Sequence, residues 1–190
     1  MIIGNEVFNE QEIVDRIRHG EAKAFAILVK QYKKLVFHIV QRLVCDAGDM
    51  EDICQEVFIK VFKQINRFTF ESRLSTWIAR IAYSTAVDYL RKYRKKNMLY
   101  EAQEHDLQDI GELSPEDLMV QTDISGYVRK LIDQLPEQYR LILTLYHLDE
   151  FSYEEIKQIT GLPEGTVKNY LFRSRKLLKE KLVSYLKQDK

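Results

Sequence analysis

Little glycine, proline or cysteine is present in this chain of 190 residues. Gly and Pro together supply 7 + 3 = 10 residues, about 5%, against roughly 12% in an average protein. A protein built from many tight turns and short strands needs more of both, so the composition favours helices. Two cysteines, Cys45 and Cys54, make no disulfide framework, and we expect ordinary buried thiols in a reducing cytoplasm.

Long apolar runs and an excess of one charge are also missing. The longest stretch without Asp, Glu, Lys or Arg is the eight residues Leu141–Leu148, whereas a membrane-spanning helix needs about 18 apolar residues or more. Glu6, Glu10 and Glu12 interrupt the start, so no signal-peptide pattern is visible there. Basic and acidic residues number 29 each, so the net charge indicates nothing about nucleic-acid binding.

The distribution of charge is more informative than its sum. The basic run Arg91–Lys96 precedes the segment Glu101–Asp123, which has eight acidic residues and no Lys or Arg. The last 27 residues hold eight basic and three acidic residues, a net of 8 − 3 = +5. Two basic blocks separated by an acidic one indicate two anion-binding faces with a solvated connector, although any single run, taken alone, is more typical of a solvated helix face.

Apolar residues at three- and four-residue steps predict four helices in the first half of the chain. The first helix starts at the capping pair Asn9 and Glu12 and stops near Gly20, and the third follows a break at Asp46–Gly48. The inward residues predicted for this third helix are Ile53, Val57, Phe58, Val61, Phe62 and Ile65. Together these helices predict a first domain over residues 1–96.

Residues 97–113 lose this period and turn acidic, which predicts a flexible linker. Ser114 and Pro115 then predict a new helix start, with helices at about 116–134 and 136–148. The predicted fold is therefore all-α: two small helical domains, 1–96 and 114–190, joined by an acidic linker.

A helix-turn-helix is predicted near the C-terminus. The capping box Ser152–Glu155 opens a short helix, Gly161–Pro163 form a turn, and a long helix begins at Glu164. At 100° per residue, the inward side of this last helix comprises Val167, Leu171, Ser174 and Leu178. The outward side comprises Asn169, Phe172, Arg173 and Lys176, with Lys168 at its edge.

This outward side has the residue types that read DNA. Asn pairs with adenine, Arg with guanine, and an aromatic ring can meet a thymine methyl group. Arg175 and Lys176 are better suited to phosphates. A solvated amphipathic helix would explain the charges but not an exposed Phe172, so the pattern favours a DNA-reading face.

Two further clusters are candidates for binding. Aromatic residues interleave with basic ones from Phe68 to Arg94, a pattern suited to single-stranded nucleic acid, although core packing is the more typical role for the Trp77 ring. Acidic residues gather at the start of the third helix. They complement its dipole, and they are also compatible with a metal site at Asp49, Asp52 and Glu56 or with a docking surface for a basic partner.

These segments together resemble a bacterial sigma factor of the extracytoplasmic-function (ECF) group of the sigma-70 family, over nearly the whole chain. Three stretches carry the resemblance. They are Asp49–Phe62; Phe70–Ala82 with Asp88–Lys92; and Leu135–Arg140 through Ser152–Ile156 to Gly165–Leu178.

The resemblance implies a cytoplasmic promoter-specificity subunit with no catalytic residues, metal or cofactor and no membrane insertion of its own. Its implied partners are core RNA polymerase, promoter DNA (as duplex and as melted non-template strand) and an anti-sigma factor, which the two domains could clamp around the 97–113 segment. Rival interpretations are a helix-turn-helix regulator acting without polymerase, a carboxylate metalloenzyme and an interaction scaffold.

The resemblance also implies roles for individual residues. Core polymerase would be bound by Asp49, Asp52, Gln55 and Glu56. The minus-ten element would be bound by Phe68, Thr69, Phe70, Glu71, Ser72, Arg73, Arg80, Ser84, Asp88, Arg91 and Lys92. The minus-thirty-five element would be bound by Thr166, Lys168, Asn169, Phe172, Arg173, Arg175 and Lys176. Ser84 departs from the Asn that the family often has there, which puts base preference at that point in doubt.

Overall fold

The computed structural model of the chain describes residues 9–44, 46–100 and 131–188. Helices dominate these three ranges, and no strand occurs within them. The chain divides into two compact units, Met1–Tyr89 with Gln158–Thr160, and Leu90–Lys157 with Gly161–Lys190. Both fold by helix packing, in agreement with the predicted all-α class.

The first unit contains three helices, one helical turn and the first part of a fourth helix, which continues past Tyr89. They are α1 (Glu10–Arg18), α2 (Ala22–Gln41), α3 (Ala47–Gln64), a 3-10 turn (Ile65–Arg67) and α4 (Leu74–Tyr100). The Asn9 side chain accepts hydrogen bonds from the amides of Gln11 and Glu12, 3.1 and 3.2 Å away. Asp46 caps α3 in the same way through the Asp49 amide, at 2.9 Å. The predicted start of α1 is confirmed, whereas α3 begins at Ala47, within the predicted break at Asp46–Gly48. In both helices a side-chain oxygen satisfies amides that have no partner within the helix.

The core of this unit is the stripe that the periodicity predicted. Its fully buried members include Leu28, Val36 and Ile39 of α2, Val57 and Val61 of α3, and Leu74 and Ile78 of α4. One inward assignment was wrong, because Phe62 is 53% exposed. Phe62 lies 100° around α3 from Val61, and its ring rests edge-on against Phe25 at 5.0 Å rather than entering the core.

Helix α4 continues to Tyr100, four residues past the boundary predicted at residue 96. Residues 91–100 contain no Gly or Pro, so nothing in their backbone chemistry stops a helix there. The remainder of the predicted linker, 101–113, the helix start at Ser114 and Cys45 lie outside the described residues. Cys54 is a half-buried free thiol, and burial, followed by the nearby Glu51 carboxylate, raises its pKa.

The second unit includes a helical end at residues 131–133 and three further helices, except that the last three residues of the middle helix, Gln158–Thr160, are grouped with the first unit. The three helices are α5 (Glu137–His147), α6 (Tyr153–Thr160) and α7 (Glu164–Gln188). The predicted capping box is formed, since Ser152 Oγ accepts from the Glu155 amide at 3.3 Å and the Glu155 carboxylate accepts from the Ser152 amide at 2.9 Å. Gly161 ends α6 with φ of +73°, a conformation that strains other residues.

Helices α6 and α7 therefore form the predicted helix-turn-helix, supported by α5. Leu145, Ile156, Val167 and Leu171 are buried in this unit. Ile132, Leu135 and Leu143 form an adjoining cluster against which Leu177 and Leu178 pack. Within the described residues, no helix is both long enough and apolar enough to cross a bilayer.

Candidate nucleic-acid interface

Helix α7 separates a buried side from an exposed one as its sequence predicted. Val167, Leu171 and Ser174 are buried, and Ser174 Oγ donates to the Leu171 carbonyl at 3.0 Å. The opposite side chains Asn169, Phe172, Arg173 and Lys176 are exposed, as is Lys168. Phe172 is 68% exposed, more than any other large apolar side chain in the described ranges. An aromatic ring is thus presented to solvent on the same side of α7 as an amide and a guanidinium.

The cations around this face are held by the second unit itself. Lys168 Nζ lies 2.5 Å from the Glu164 carboxylate and 5.4 Å from the centre of the Tyr153 ring. The hydrogen bond to Glu164, and then the charge of that carboxylate, raise the pKa of Lys168. These contacts fix the ammonium group at the edge of the face, where it is suited to a phosphate.

Arg175 is fixed against α5. Its guanidinium lies 5.3 Å from the centre of the Tyr146 ring, and its Nε donates to His147 Nε2 at 3.2 Å. Burial, followed by the Arg175 charge, lowers the pKa of His147, which keeps the imidazole neutral and able to accept this bond. Arg175 is therefore held beside the reading face and does not project from its centre.

The centre of the face is made by Asn169, Phe172 and Arg173. Among the residues that the structure describes, these three side chains make no hydrogen bond, ion pair or ring contact. Their polar groups and the ring are therefore available to a ligand without breaking an internal interaction. We call these three residues the reading face of α7.

A second exposed feature is the irregular segment Phe68–Arg73, which joins the 3-10 turn to α4 and which we call the loop. Thr69, Phe70, Glu71 and Arg73 are exposed, and Ser72 is half-buried. Phe68 differs, because it is 4% exposed and its ring packs against Phe70 at 4.7 Å and Trp77 at 5.2 Å. In this conformation the Phe68 ring supports the loop from the core and presents no face to a base, and the half-buried Trp77 packs with it.

Phe70 is the exposed ring of the loop. It is 39% exposed, and its backbone has φ of +60°. This left-handed conformation is unfavourable for a bulky residue and turns the chain sharply at the tip of the loop. The loop therefore presents one aromatic ring among hydroxyl, carboxylate and guanidinium groups.

Helix α4 continues the polar surface from the loop. Arg80, Ser84, Asp88, Arg91 and Lys92 are all exposed and recur at three- or four-residue steps. Such spacing places them along one side of the helix. Ser84 Oγ donates to the Ile81 carbonyl at 3.0 Å, so its hydroxyl is turned toward the helix backbone.

The acidic start of α3 forms a third surface. Tyr89 of α4 donates a hydrogen bond to the Asp49 carboxylate, and Glu56 pairs with Lys60 at 2.9 Å. Asp52 and Gln55 are exposed and have no partner within the described ranges. No group of three or more His, Cys, Asp or Glu side chains in the part of the chain that the structure describes is arranged to hold a metal ion.

The sequence did not identify two residues of α1 that contact the loop or the residues flanking it. Arg18 donates to the carbonyls of Ile65 and Phe68, and Glu10 accepts from the Leu74 amide. The partners lie 47, 50 and 64 residues away in sequence. No local pattern relates residues that far apart, so α1 read by itself indicates only an amphipathic helix.

Comparison with known proteins identifies the family that this chain resembles in sequence. Residues 28–96 match the model of sigma-70 region 2, and residues 125–178 match sigma-70 region 4. The chain is 37% identical over 185 residues to the ECF RNA polymerase sigma-E factor of Escherichia coli, covering 94% of this chain and 96% of that protein. It is 34% identical over 188 residues to the RNA polymerase sigma-H factor of Pseudomonas aeruginosa, with the same coverage.

A solved structure shares the fold. It is the sigma factor RpoE in complex with the anti-sigma factor NepR from Bartonella quintana, which superposes with a TM-score of 0.64 at 22% identity. The match covers 85% of this chain and 98% of that one. The loop and the start of α3 lie inside the region 2 match, and the reading face of α7 lies inside the region 4 match.

Proposed function

This chain belongs to the ECF group of the sigma-70 family of RNA polymerase sigma factors. We propose which of its residues bind core polymerase and which bind each promoter element. The protein binds core RNA polymerase and directs DNA-templated initiation to specific promoters. The observation that carries the residue assignment is the unengaged reading face of α7, at which Phe172 is 68% exposed.

We assign duplex recognition at the minus-thirty-five element to α7. A recognition helix of this kind enters the major groove, where Arg173 can pair with guanine and Asn169 with adenine. Phe172, on the same face, can contact a thymine methyl group. Thr166, Lys168, Arg175 and Lys176 flank this centre and are assigned to the DNA backbone, which sets the position of the helix in the groove.

The loop and α4 are assigned to the minus-ten element. Flipping a base out of the duplex costs a few kcal/mol, which stacking on a ring and contacts in a fitted pocket offset. Phe70 supplies the exposed ring, and Thr69, Glu71 and Ser72 supply polar groups for a base edge. The side of α4 that carries Arg80, Ser84, Asp88, Arg91 and Lys92 would follow the melted non-template strand.

The acidic start of α3 is assigned to core polymerase. Asp52 and Gln55 are unengaged in the described part of the chain, while Asp49 and Glu56 are held beside them by Tyr89 and Lys60. Carboxylates on one exposed surface favour a basic partner, which in this family is the polymerase clamp.

The remaining elements of the proposal concern the whole chain. Residues 1–96 act as the region 2 domain and 114–190 as the region 4 domain, with 97–113 as their connector. The protein works in the cytoplasm, carries no catalytic residues or cofactor and leaves the chemistry of RNA synthesis to the polymerase. An anti-sigma factor is its proposed inhibitor, as the NepR complex of the similarly folded RpoE suggests.

Reconstituted transcription with core polymerase tests these assignments. Arg173→Ala should reduce discrimination against base changes in the minus-thirty-five element by roughly 5- to 150-fold, because one bidentate pair contributes about 1–3 kcal/mol. Lys179→Ala is the matched control, since Lys179 is an exposed cation on α7 outside the reading face. Unchanged discrimination in both Arg173→Ala and Asn169→Ala would contradict the assignment of α7.

In the same reconstituted system, the affinity of holoenzyme assembly separates the polymerase surface from the DNA surfaces. The double variant Asp52→Lys with Glu56→Lys should weaken holoenzyme assembly while leaving the reading face of α7 intact. A normal assembly affinity for this variant would count against the role of α3. Tight, sequence-specific binding of duplex by the free protein would instead favour a regulator that acts without polymerase.

A further inference from the structure

Helix α1 holds the loop at both of its ends. Before the loop, Arg18 Nη2 donates to the Phe68 carbonyl and, at 3.3 Å, to the Ile65 carbonyl. After the loop, the Glu10 carboxylate accepts from the amide of Leu74, the first residue of α4, at 3.4 Å. Glu10 and Arg18 are eight residues apart on α1, about 12 Å along the helix. A single rigid helix thus fixes where the loop begins and where it ends.

Arg18 also contacts the exposed ring at the tip of the loop. Its guanidinium lies 5.7 Å from the centre of the Phe70 ring, a distance at which cation and ring attract. Phe70 has φ of +60°, and bulky residues keep such a conformation only where their surroundings hold it. Arg18 supplies part of that support, since one guanidinium bonds two carbonyls before the tip and covers the ring at it.

Helix α1 is anchored well enough to act as this support. Ile13, Val14 and Ile17 are buried in the first unit. The second oxygen of the Glu10 carboxylate accepts a hydrogen bond from the Tyr32 hydroxyl of α2 at 2.7 Å. Burial, followed by the bond to Glu10, raises the pKa of Tyr32, so the hydroxyl remains a donor. Glu10 therefore ties the start of α4 to the core through a buried tyrosine.

We propose that Arg18 and Glu10 are positioning residues for minus-ten recognition. Without being assigned any contact to DNA, they hold the loop in the shape that accepts a flipped base, and so they set how strictly that base is chosen. This inference rests on the proposed function of the loop. Loss of either residue would leave the end of the loop and the strained Phe70 free to relax. Base discrimination by the pocket would then fall, although the domain would stay folded.

Base discrimination by the holoenzyme tests this proposal. Single-stranded oligonucleotides carrying the minus-ten element of a promoter that the holoenzyme transcribes are made with each of the four bases at each position. The ratio of dissociation constants between the best and the worst base is measured for the wild type and for Arg18→Gln, Glu10→Gln and Phe70→Ala. We expect Arg18→Gln to lower the largest of these ratios by roughly 10-fold, since it removes charged donors from two carbonyls.

Two matched variants separate positioning from general damage. Arg18→Lys keeps the charge and a donor, so it should give a ratio between those of the wild type and Arg18→Gln. Arg16→Gln removes an arginine of the same helix that pairs with Glu21 on the surface at 2.7 Å, and it should leave the ratio unchanged. The fluorescence of Trp77, the one tryptophan of the chain, reports whether the first unit remains folded in each variant.

The outcomes distinguish this inference from the proposed function. If Phe70→Ala lowers the ratio while Arg18→Gln and Glu10→Gln leave it at the wild-type value, the positioning role is overturned and the loop assignment stands. If Phe70→Ala leaves the ratio unchanged, the loop assignment itself fails. Should Arg18→Gln not fold, unchanged ratios in both Arg18→Lys and Glu10→Gln would overturn the positioning role.

Discussion

The reading face of α7 and the loop before α4 are both exposed, and both centre on a phenylalanine, but they are built differently. The reading face belongs to a regular helix, so its composition follows from spacing along one element. The loop has no repeating geometry, and its shape depends on α1 through Arg18 and Glu10 and on the core through Phe68. A helix can therefore change its surface residues independently of its fold, whereas the loop cannot be separated from the elements that hold it.

Each surface contains an internal contrast between neighbouring residues. Leu171 is 1% exposed and Phe172 is 68% exposed, since successive side chains on a helix point 100° apart. Phe68 is 4% exposed and Phe70 is 39% exposed, although nothing periodic separates them. Substituting both members of each pair separates the stability of a surface from its function.

The largest effect is expected in the loop. Phe68→Ala should lower the free energy of unfolding of the first unit by about 3–5 kcal/mol, because it leaves a cavity beside Trp77. Phe70→Ala should cost about 1 kcal/mol, since its ring is partly exposed. Urea denaturation followed by Trp77 fluorescence measures both. Similar losses for the two variants would mean that the loop is not supported as the contacts indicate.

On α7 the difference in stability loss between the buried and the exposed residue should be slightly smaller. Leu171→Ala should lower the free energy of unfolding of the second unit by about 2–5 kcal/mol, while Phe172→Ala should change it by about 0.5 kcal/mol or less. Hydrogen exchange of the α7 amides in the full chain reports this unit separately. The transcription assay should show the effect that stability does not: Phe172→Ala should remain folded but should reduce use of the minus-thirty-five element. A stability loss in Phe172→Ala as large as that in Leu171→Ala would contradict the separation of the two faces.

A smaller effect is expected at the start of the helix-turn-helix. Ser152→Ala removes the oxygen that accepts from the Glu155 amide, and it should destabilise the second unit by about 1 kcal/mol. Ser152→Thr keeps the capping hydroxyl and is the matched control. Exchange rates of the α6 amides should rise in the first variant and remain near the wild-type values in the second. Equal rates in the two variants would show that the cap contributes nothing there.

The smallest effect concerns pH. The pKa of His147 is lowered in the folded state by burial and then by Arg175, so below the ordinary value of about 6.5 the unfolded chain binds more protons than the folded one. Stability is therefore fully present above that value and declines as the pH falls through it toward the folded pKa. The loss is small, since the His147 side chain is only partly buried.

Comparison of the wild type with His147→Gln isolates this contribution from the other three histidines, 4 − 1 = 3. The glutamine carbonyl can still accept from Arg175, but it does not titrate. The decrease in thermal midpoint between pH 7.5 and pH 5.5 should be smaller in the variant. An identical decrease in both proteins would exclude His147 as a source of the pH dependence.

Most helices were predictable because their signals are local. Asn9, Asp46 and Ser152 each cap a helix within three residues of their own position. The buried stripe of α7 followed from a fixed angle per residue. Phe62 shows the limit of such periodicity, since a residue at the margin of a stripe is buried only if a neighbouring element covers it, and Phe62 stays 53% exposed despite its contact with Phe25.

The sequence by itself determined the elements, their caps and the reading face of α7, because helix geometry is set by backbone hydrogen bonds between near neighbours. Tertiary structure alone decided which of Phe68 and Phe70 enters the core, and that Arg18 and Glu10 hold the ends of the loop. The contacts of Arg18 and Glu10 join residues 50 and 64 positions apart. They arise when the helices of the first unit bury their apolar stripes together, and no local spacing encodes that event.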